Sequence, residues 1–196
     1  MNETIQTRRK KALLAAFGFG LGCWMAAAVC VQGQEAAPTA EELKLAYLLK
    51  FPGFVTWPKK AFPNAKAPLI VAVWSGAKAV PQGWIKIIEK ERYGTRPVKF
   101  REVKSWEETK ECHVLFLPDA DSPPPPPDAV YRQPLLIVRG SAPTVPEASI
   151  TFVKEGDRLR FDISVPAVKA AGLVMDARLL KLARQVRLPA DKERKR

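Results

Sequence analysis

Leu69-Ile70-Val71-Ala72-Val73-Trp74 is an unbroken apolar run, half of it β-branched. A strand with one solvated face must alternate polar and apolar residues. A strand covered on both faces need not, and sheets covered on both faces are characteristically parallel. Similar runs follow over 113–117 and 135–138, and 98–103 reads as a further strand. Helical patterns over 84–91 and, more briefly, 105–110 separate them. Strands alternating with helical segments require crossover connections. The predicted class is therefore α/β, with a mainly parallel sheet flanked by helices.

Towards the N-terminus, Thr39-Ala40-Glu41-Glu42 forms a capping box, so a helix is expected over 40–51, where Pro52 and Gly53 interrupt it. Five consecutive prolines, Pro123 to Pro127, predict an extended polyproline II connection. The last third changes character. Segments over 149–153 and 158–163 flank Lys154-Glu155-Gly156-Asp157, a β-hairpin in which Gly156 supplies the positive φ. One C-terminal helix starts near Pro166 and ends at Gly172, and a second, capped by Asp176, is expected to run to about Val186. On that second helix Leu179, Leu180, Ala183 and Val186 share one side, and Arg178, Lys181 and Arg184 the other.

Arg8, Arg9, Lys10 and Lys11 precede an uncharged apolar stretch over 12–31, the layout of a secretory signal peptide. Cleavage is expected after Gly33, with Ala28 as the alternative, placing the mature protein in the periplasm. Twin-arginine and lipoprotein signals fit less well: Lys11 occupies an apolar position of the former, and no Leu stands three residues before Cys23 or Cys30. The expected organisation is a signal peptide over 1–34, a single domain over 35–187 and a charged tail over 188–196. Removing 1–34 leaves 162 residues and lowers the net charge from +12 to +9. Export separates so basic a surface from nucleic acid and leaves anionic envelope polymers, lipid head groups or an acidic protein as counterparts.

Catalytic chemistry finds little support. Asp119-Ala120-Asp121 follows a buried strand as in aspartate-nucleophile phosphatases, but the prolines follow at once and no downstream acidic pair for Mg²⁺ stands out. His113 is the single histidine, which excludes His-clustered metal sites, and it reads as a satisfied core residue. Cys112 is the one cysteine outside the signal segment, expected as a buried free thiol; its side chain and that of His113 should point to opposite faces of a strand. Phe51, Phe54 and Trp57 have the spacing of core residues, with a ligand site as the alternative. No cofactor is expected.

The string Phe161-Asp162-Ile163-Ser164-Val165, then Ala167-Val168-Lys169-Ala170-Ala171-Gly172-Leu173, then Ala177-Arg178-Leu179-Leu180-Lys181-Leu182-Ala183-Arg184, resembles the C-terminal signature of YfiR-like proteins, as does Ile150-Thr151-Phe152-Val153 before it. Tyr47-Leu48-Leu49-Lys50-Phe51, Phe54-Val55-Thr56-Trp57-Pro58 and Cys112-His113-Val114-Leu115-Phe116 agree in order, so the likeness covers about 39–187. The resemblance implies a small periplasmic α/β protein without enzymatic activity that restrains a membrane-bound diguanylate cyclase, lowering cyclic di-GMP and disfavouring biofilm. This chain departs from the pattern at Thr151, where Asn is usual, at Glu147-Ala148, and at Pro52-Gly53. Cys112 matches a cysteine that is bridged in some relatives, and here it has no second cysteine to join.

Two function classes remain open. One is a non-catalytic regulatory module binding a membrane signalling protein, compatible with a small-molecule ligand, a homodimer or peripheral contact with the anionic envelope. The other is an envelope hydrolase of the Asp-x-Asp type or an anionic-polymer binder. For the first, the expected contact surface comprises Phe152, Phe161 and Asp162 on the hairpin, with Arg178, Lys181 and Arg184 on the last helix.

Overall fold

The computed structural model describes residues 38–75, 80–119, 123–141 and 148–189. The segment expected to be a signal peptide, Ala120 and Asp121 of the Asp-x-Asp motif, and all but the first two residues of the charged tail lie outside these. Helix α1, Ala40–Lys50, starts on the expected capping box: the Thr39 hydroxyl accepts from the Glu42 amide at 3.2 Å, and the Glu42 carboxylate accepts from the Thr39 amide at 2.7 Å. Pro52 and Gly53 do not end the helical path. They tighten it into a 3₁₀ turn, Phe51–Phe54, that leads into the short strand β1, Val55–Thr56.

The apolar run Leu69–Trp74 is strand β2 and lies inside the sheet. Helix α2, Gln82–Lys90, and the short β3, Arg92–Tyr93, lead to β4, Arg96–Val103, which pairs in parallel with β2. The chain then crosses to the other side of β2 and lays down β5, Val114–Leu117, in parallel. Helix α3, Asp128–Tyr131, precedes β6, Leu136–Arg139, which pairs in parallel with β5; β7, Ile150–Glu155, is parallel to β6. Strand β8, Arg158–Ser164, turns back antiparallel to β7, with Gly156 at φ +58° in the turn.

Helix α4, Val165–Ala170, ends at Gly172 with φ +69°, and β9, Val174–Met175, returns to pair antiparallel with β1. Helix α5, Ala177–Leu182, is followed by β10, Gln185–Arg187, parallel to β8. The sheet order is β10-β8-β7-β6-β5-β2-β4-β3. The class is as expected, α/β with a mostly parallel sheet, a C-terminal hairpin and two C-terminal helices.

The last helix is a correction. It stops at Leu182, and Val186 lies in a strand. Ala183 is extended at ψ 143°, and the Arg184 amide donates to the Phe161 carbonyl at 2.8 Å. An edge partner for β8 thus claims the segment that periodicity alone assigns to the helix.

Two apolar clusters sandwich the sheet. One contains Leu45 and Leu48 of α1, Phe51, Ile88 of α2, Val168 and Leu179, packed on Val71, Val73, Val114, Phe116, Leu136, Val138, Phe152 and Phe161. The other joins Trp106, Cys112, Val130 and Leu135 to Ala72, Trp74, Leu115, Leu117 and Ile137. Alternate residues of one strand serve opposite clusters, which is why β2 and β5 read as continuous apolar runs.

Candidate partner-binding surface

Strand parity positions the hairpin residues. Phe152 and Phe161 sit opposite each other in the β7–β8 ladder and point into the first cluster, with 0% and 4% of their surface accessible. Phe51 lies 5.8 Å and 5.3 Å from their ring centroids, and Tyr47 6.0 Å and 5.8 Å. These two phenylalanines anchor the hairpin in the core and present no side chain to a partner. Asp162, next along β8, necessarily faces the other way. Its carboxylate takes a forked pair of bonds from Arg184, Nε to Oδ1 at 2.9 Å and a second from Nη2, which ties β8 to the turn ahead of β10. That contact holds the Arg184 guanidinium above its ordinary value.

Asp176 caps α5 by accepting from the Arg178 amide at 2.7 Å, and the Arg178 guanidinium grips the same carboxylate, Nη2 to Oδ2 at 2.8 Å. The Arg178 side chain, then its backbone amide, lower the Asp176 carboxyl to about 2. The Asp176 amide in turn donates to the Phe54 carbonyl at 2.8 Å, and the Arg178 guanidinium lies 5.6 Å from the Phe54 ring centre. Arg178, Lys181 and Arg184 therefore do not form one helical face: Arg178 grips the cap of α5, Arg184 lies beyond the helix and bonds Asp162 of β8, and Lys181 is an exposed residue of α5.

Apolar exposure picks out the same region. Four large hydrophobic residues are well exposed among the described residues, and three of them are Val174 at 63%, Leu182 at 61% and Leu188 at 67%; the fourth, Ile87, stands apart on α2. Sequence reasoning missed all three. The available signal was that Leu182 is out of phase with the stripe of Leu179, Leu180 and Ala183.

The remaining candidates resolve into structural roles. Asp119 receives the Lys44 ammonium at 2.6 Å, with Glu41 at 3.0 Å on the same nitrogen. Burial pushes the Lys44 ammonium down, but the Asp119 and Glu41 carboxylates outweigh it and hold it above its ordinary value. This pairing fastens α1 to the carboxyl end of β5. His113 is 4% accessible and saturated at both nitrogens: Nδ1 accepts from the Ile70 amide at 3.1 Å, and Nε2 lies 2.9 Å from the Ala61 carbonyl. Its ring stacks on Phe62, while Cys112 faces the second cluster as a buried free thiol, so the two side chains diverge as expected.

Phe51 is core, Phe54 lies beneath Arg178, and Trp57 lines an open cavity of about 570 Å³ with Phe62, Tyr93, Lys59 and Arg96. Among the described residues there is no cluster of His, Cys, Asp or Glu that could hold a metal ion, and no helix is long and apolar enough to cross a membrane.

The family model DUF4154, YfiR/HmsC-like, matches residues 41–184. The chain belongs to the YfiR/HmsC-like family. The matched span opens within α1 and closes on Arg184, the residue that bonds Asp162, so it takes in the whole sheet except β10. YfiR-like proteins are periplasmic, non-catalytic regulators that act on a membrane signalling partner. No curated protein matches the chain.

Proposed function

We propose that this protein is an exported regulatory module that binds the periplasmic part of a membrane signalling protein, such as a diguanylate cyclase, through its C-terminal surface and restrains it. Family membership supports the regulatory role. The observation that carries the choice of surface is the exposure of Val174, Leu182 and Leu188, three large apolar residues that lie before, at the end of and shortly after α5 in the chain. Large apolar side chains left in water beside charged groups are the usual make-up of a protein contact patch. Between 148 and 189 the chain has eight basic and four acidic residues, so the complement is an acidic surface. A ligand signal has two candidate places, the open cavity beside Trp57, Phe62 and Tyr93 and a more enclosed one of about 610 Å³ beside Ile70, Cys112 and His113.

The test is cellular cyclic di-GMP in three strains: wild type, a gene deletion, and Arg178→Gln/Lys181→Glu. Arg184 is left intact because reversing it would set a carboxylate against Asp162 and probe folding instead of binding. Deletion should raise cyclic di-GMP, and the double variant should raise it comparably while its thermal unfolding stays close to wild type. An unchanged level on deletion would sink the regulatory reading. Full repression by the double variant would move the contact surface elsewhere.

A further inference from the structure

The open cavity beside β1 has an uneven lining. Three half-buried aromatic residues, Trp57, Phe62 and Tyr93, share it with Lys59 and Arg96, and among the described residues no Asp or Glu joins them. Tyr93 and Arg96 sit directly opposite each other in the β3–β4 ladder, so both stand on one face of that hairpin. The Arg96 guanidinium carbon lies 4.1 Å from the centre of the Phe62 ring.

Arg96 is held in place without being neutralised. Its Nη1 donates to the carbonyls of Asn64 at 2.7 Å and Ala67 at 2.8 Å, both uncharged acceptors. The edge formed by Nε and Nη2 remains unused among the described residues, and no carboxylate pairs with the guanidinium. That same edge is the one with which this protein grips carboxylates elsewhere: Arg178 holds Asp176, and Arg184 holds Asp162, through Nε and Nη2 in each case. Lys59, exposed in the same cavity, likewise has no carboxylate partner among the described residues.

A planar fork that is fixed in direction and still free to donate is matched by a carboxylate, which takes two parallel bonds from it. The aromatic rings define the rest of the ligand. Phe62 stands 6.2 Å from Trp57 and 6.3 Å from Tyr93 between ring centres, which gives the cavity an apolar wall for a flat apolar surface to lie on. The second cavity suits an anion less well, because Glu111 lines it beside Lys60 and Lys110.

We propose that the cavity beside β1 binds an organic carboxylate with a flat apolar face, its carboxylate held side-on by Arg96 and attracted by Lys59, its body against the aromatic wall. An aromatic acid and an acidic sugar both present this chemistry. The proposal rests on the reading of the protein as a regulatory module that takes a ligand signal, and it selects one of the two cavities for that signal.

The probes are naphthoate and tri-galacturonate, titrated into the mature protein by calorimetry beside their uncharged counterparts, naphthylmethanol and galactotriose. At least one acid should bind at millimolar concentration, at least tenfold more tightly than its counterpart, and the tighter of the two identifies the source. Arg96→Lys keeps the charge but loses the fork and should weaken binding at least tenfold. Lys59→Glu, at an exposed position, should weaken it at least fivefold, while Lys110→Glu in the second cavity should leave it unchanged. No binding of either acid would overturn the site, as would equal binding of the uncharged counterpart. A loss on Lys110→Glu as large as that on Lys59→Glu would move the ligand to the second cavity and overturn it too. Should Arg96→Lys fail to fold, Lys59→Glu decides alone, and unchanged binding by it sinks the proposal.

Binding needs no partner, so the two readings separate. An acid bound with these properties, together with unchanged cyclic di-GMP on deletion, keeps the site and removes the regulatory role. Raised cyclic di-GMP on deletion without binding of either acid does the reverse.

Discussion

The parallel block β4-β2-β5-β6 and the C-terminal group β7, β8, α5 and β10 are held by different means. In the block, apolar clusters press on both faces, and Val71, Val114, Leu115, Leu136 and Val138 lose all access to solvent. In the C-terminal group the inner face is equally apolar, with Ile150 and Phe152 fully buried, but the other face of β8 carries the Asp162–Arg184 ion pair, and α5 is held by its Asp176 cap, which Arg178 grips. A two-sided core fixes position through packing density and leaves little surface for recognition. A one-sided element leaves its outer face free to contact another protein. The regulatory surface proposed above lies in the one-sided part.

The sharpest way to break this comparison is to truncate one strand side chain in each region. Phe116 of β5 is 1% accessible and packs against Trp84 at 5.7 Å between ring centres. Phe116→Ala should cost about 3–5 kcal/mol in urea unfolding, through lost transfer energy and a cavity. Val186→Ala in half-buried β10 should cost no more than about 1 kcal/mol. Comparable losses would mean that the C-terminal edge is as much a part of the core as the parallel block.

A smaller effect is expected where the block meets α1. A Cβ on Gly140 would lie 2.4 Å from Asp119 Oδ1, and Asp119 is already bound to Lys44. Gly140→Ala should therefore displace the carboxylate and cost roughly 1–3 kcal/mol. Lys44→Met should then cost less in the Gly140→Ala background than in the wild type, because the bridge it removes has already been disturbed. Strict additivity in that double-mutant cycle would show that glycine is required for another reason.

The same contrast explains what could be read from the sequence. Residues 69–74 and 113–117 announced a two-sided sheet because no charge interrupts them, and Thr39, Gly156, Gly172 and Asp176 marked caps and turns by local chemistry. The extent of α5 was not legible. An exposed three-residue strand and the last turn of an amphipathic helix carry the same mixture of charged and apolar residues, and the choice is made by the Phe161 carbonyl and Asp162, more than twenty residues away. The paired strands β1 and β9 escaped for a like reason: two residues each are too few to show a period. Phe152 and Phe161 were legible as hairpin residues, but which face they took depended on register. Lys44 and Asp119 lie 75 residues apart, so their pairing left no local trace.

The mildest expected effect is on pH dependence, and it belongs to the block alone. His113 lies behind Phe62 and Trp57, with its two nitrogens engaged by Ile70 and Ala61. Burial pushes its imidazole below the ordinary value; the Ala61 bond opposes this, and the charges of Arg96 and Arg101 add to the lowering. The native protein thus holds His113 neutral at a pH where the unfolded chain, near its ordinary value of about 6.5, takes up a proton. The stability this contributes is complete above about pH 6.5 and declines as the pH falls towards the lowered native value, with a slope bounded by one proton, about 1.4 kcal/mol per pH unit. His113→Gln removes the titration. It should be less stable than wild type at pH 7, because a ring stacked at 4.3 Å on Phe62 is lost, yet its unfolding free energy should change less between pH 7 and pH 5. Equal slopes for the two proteins over that interval would mean that His113 is not held neutral by its burial. A slope that disappears instead with Asp176→Asn would be surprising, because Asp176, lowered to about 2, is ionised throughout this range.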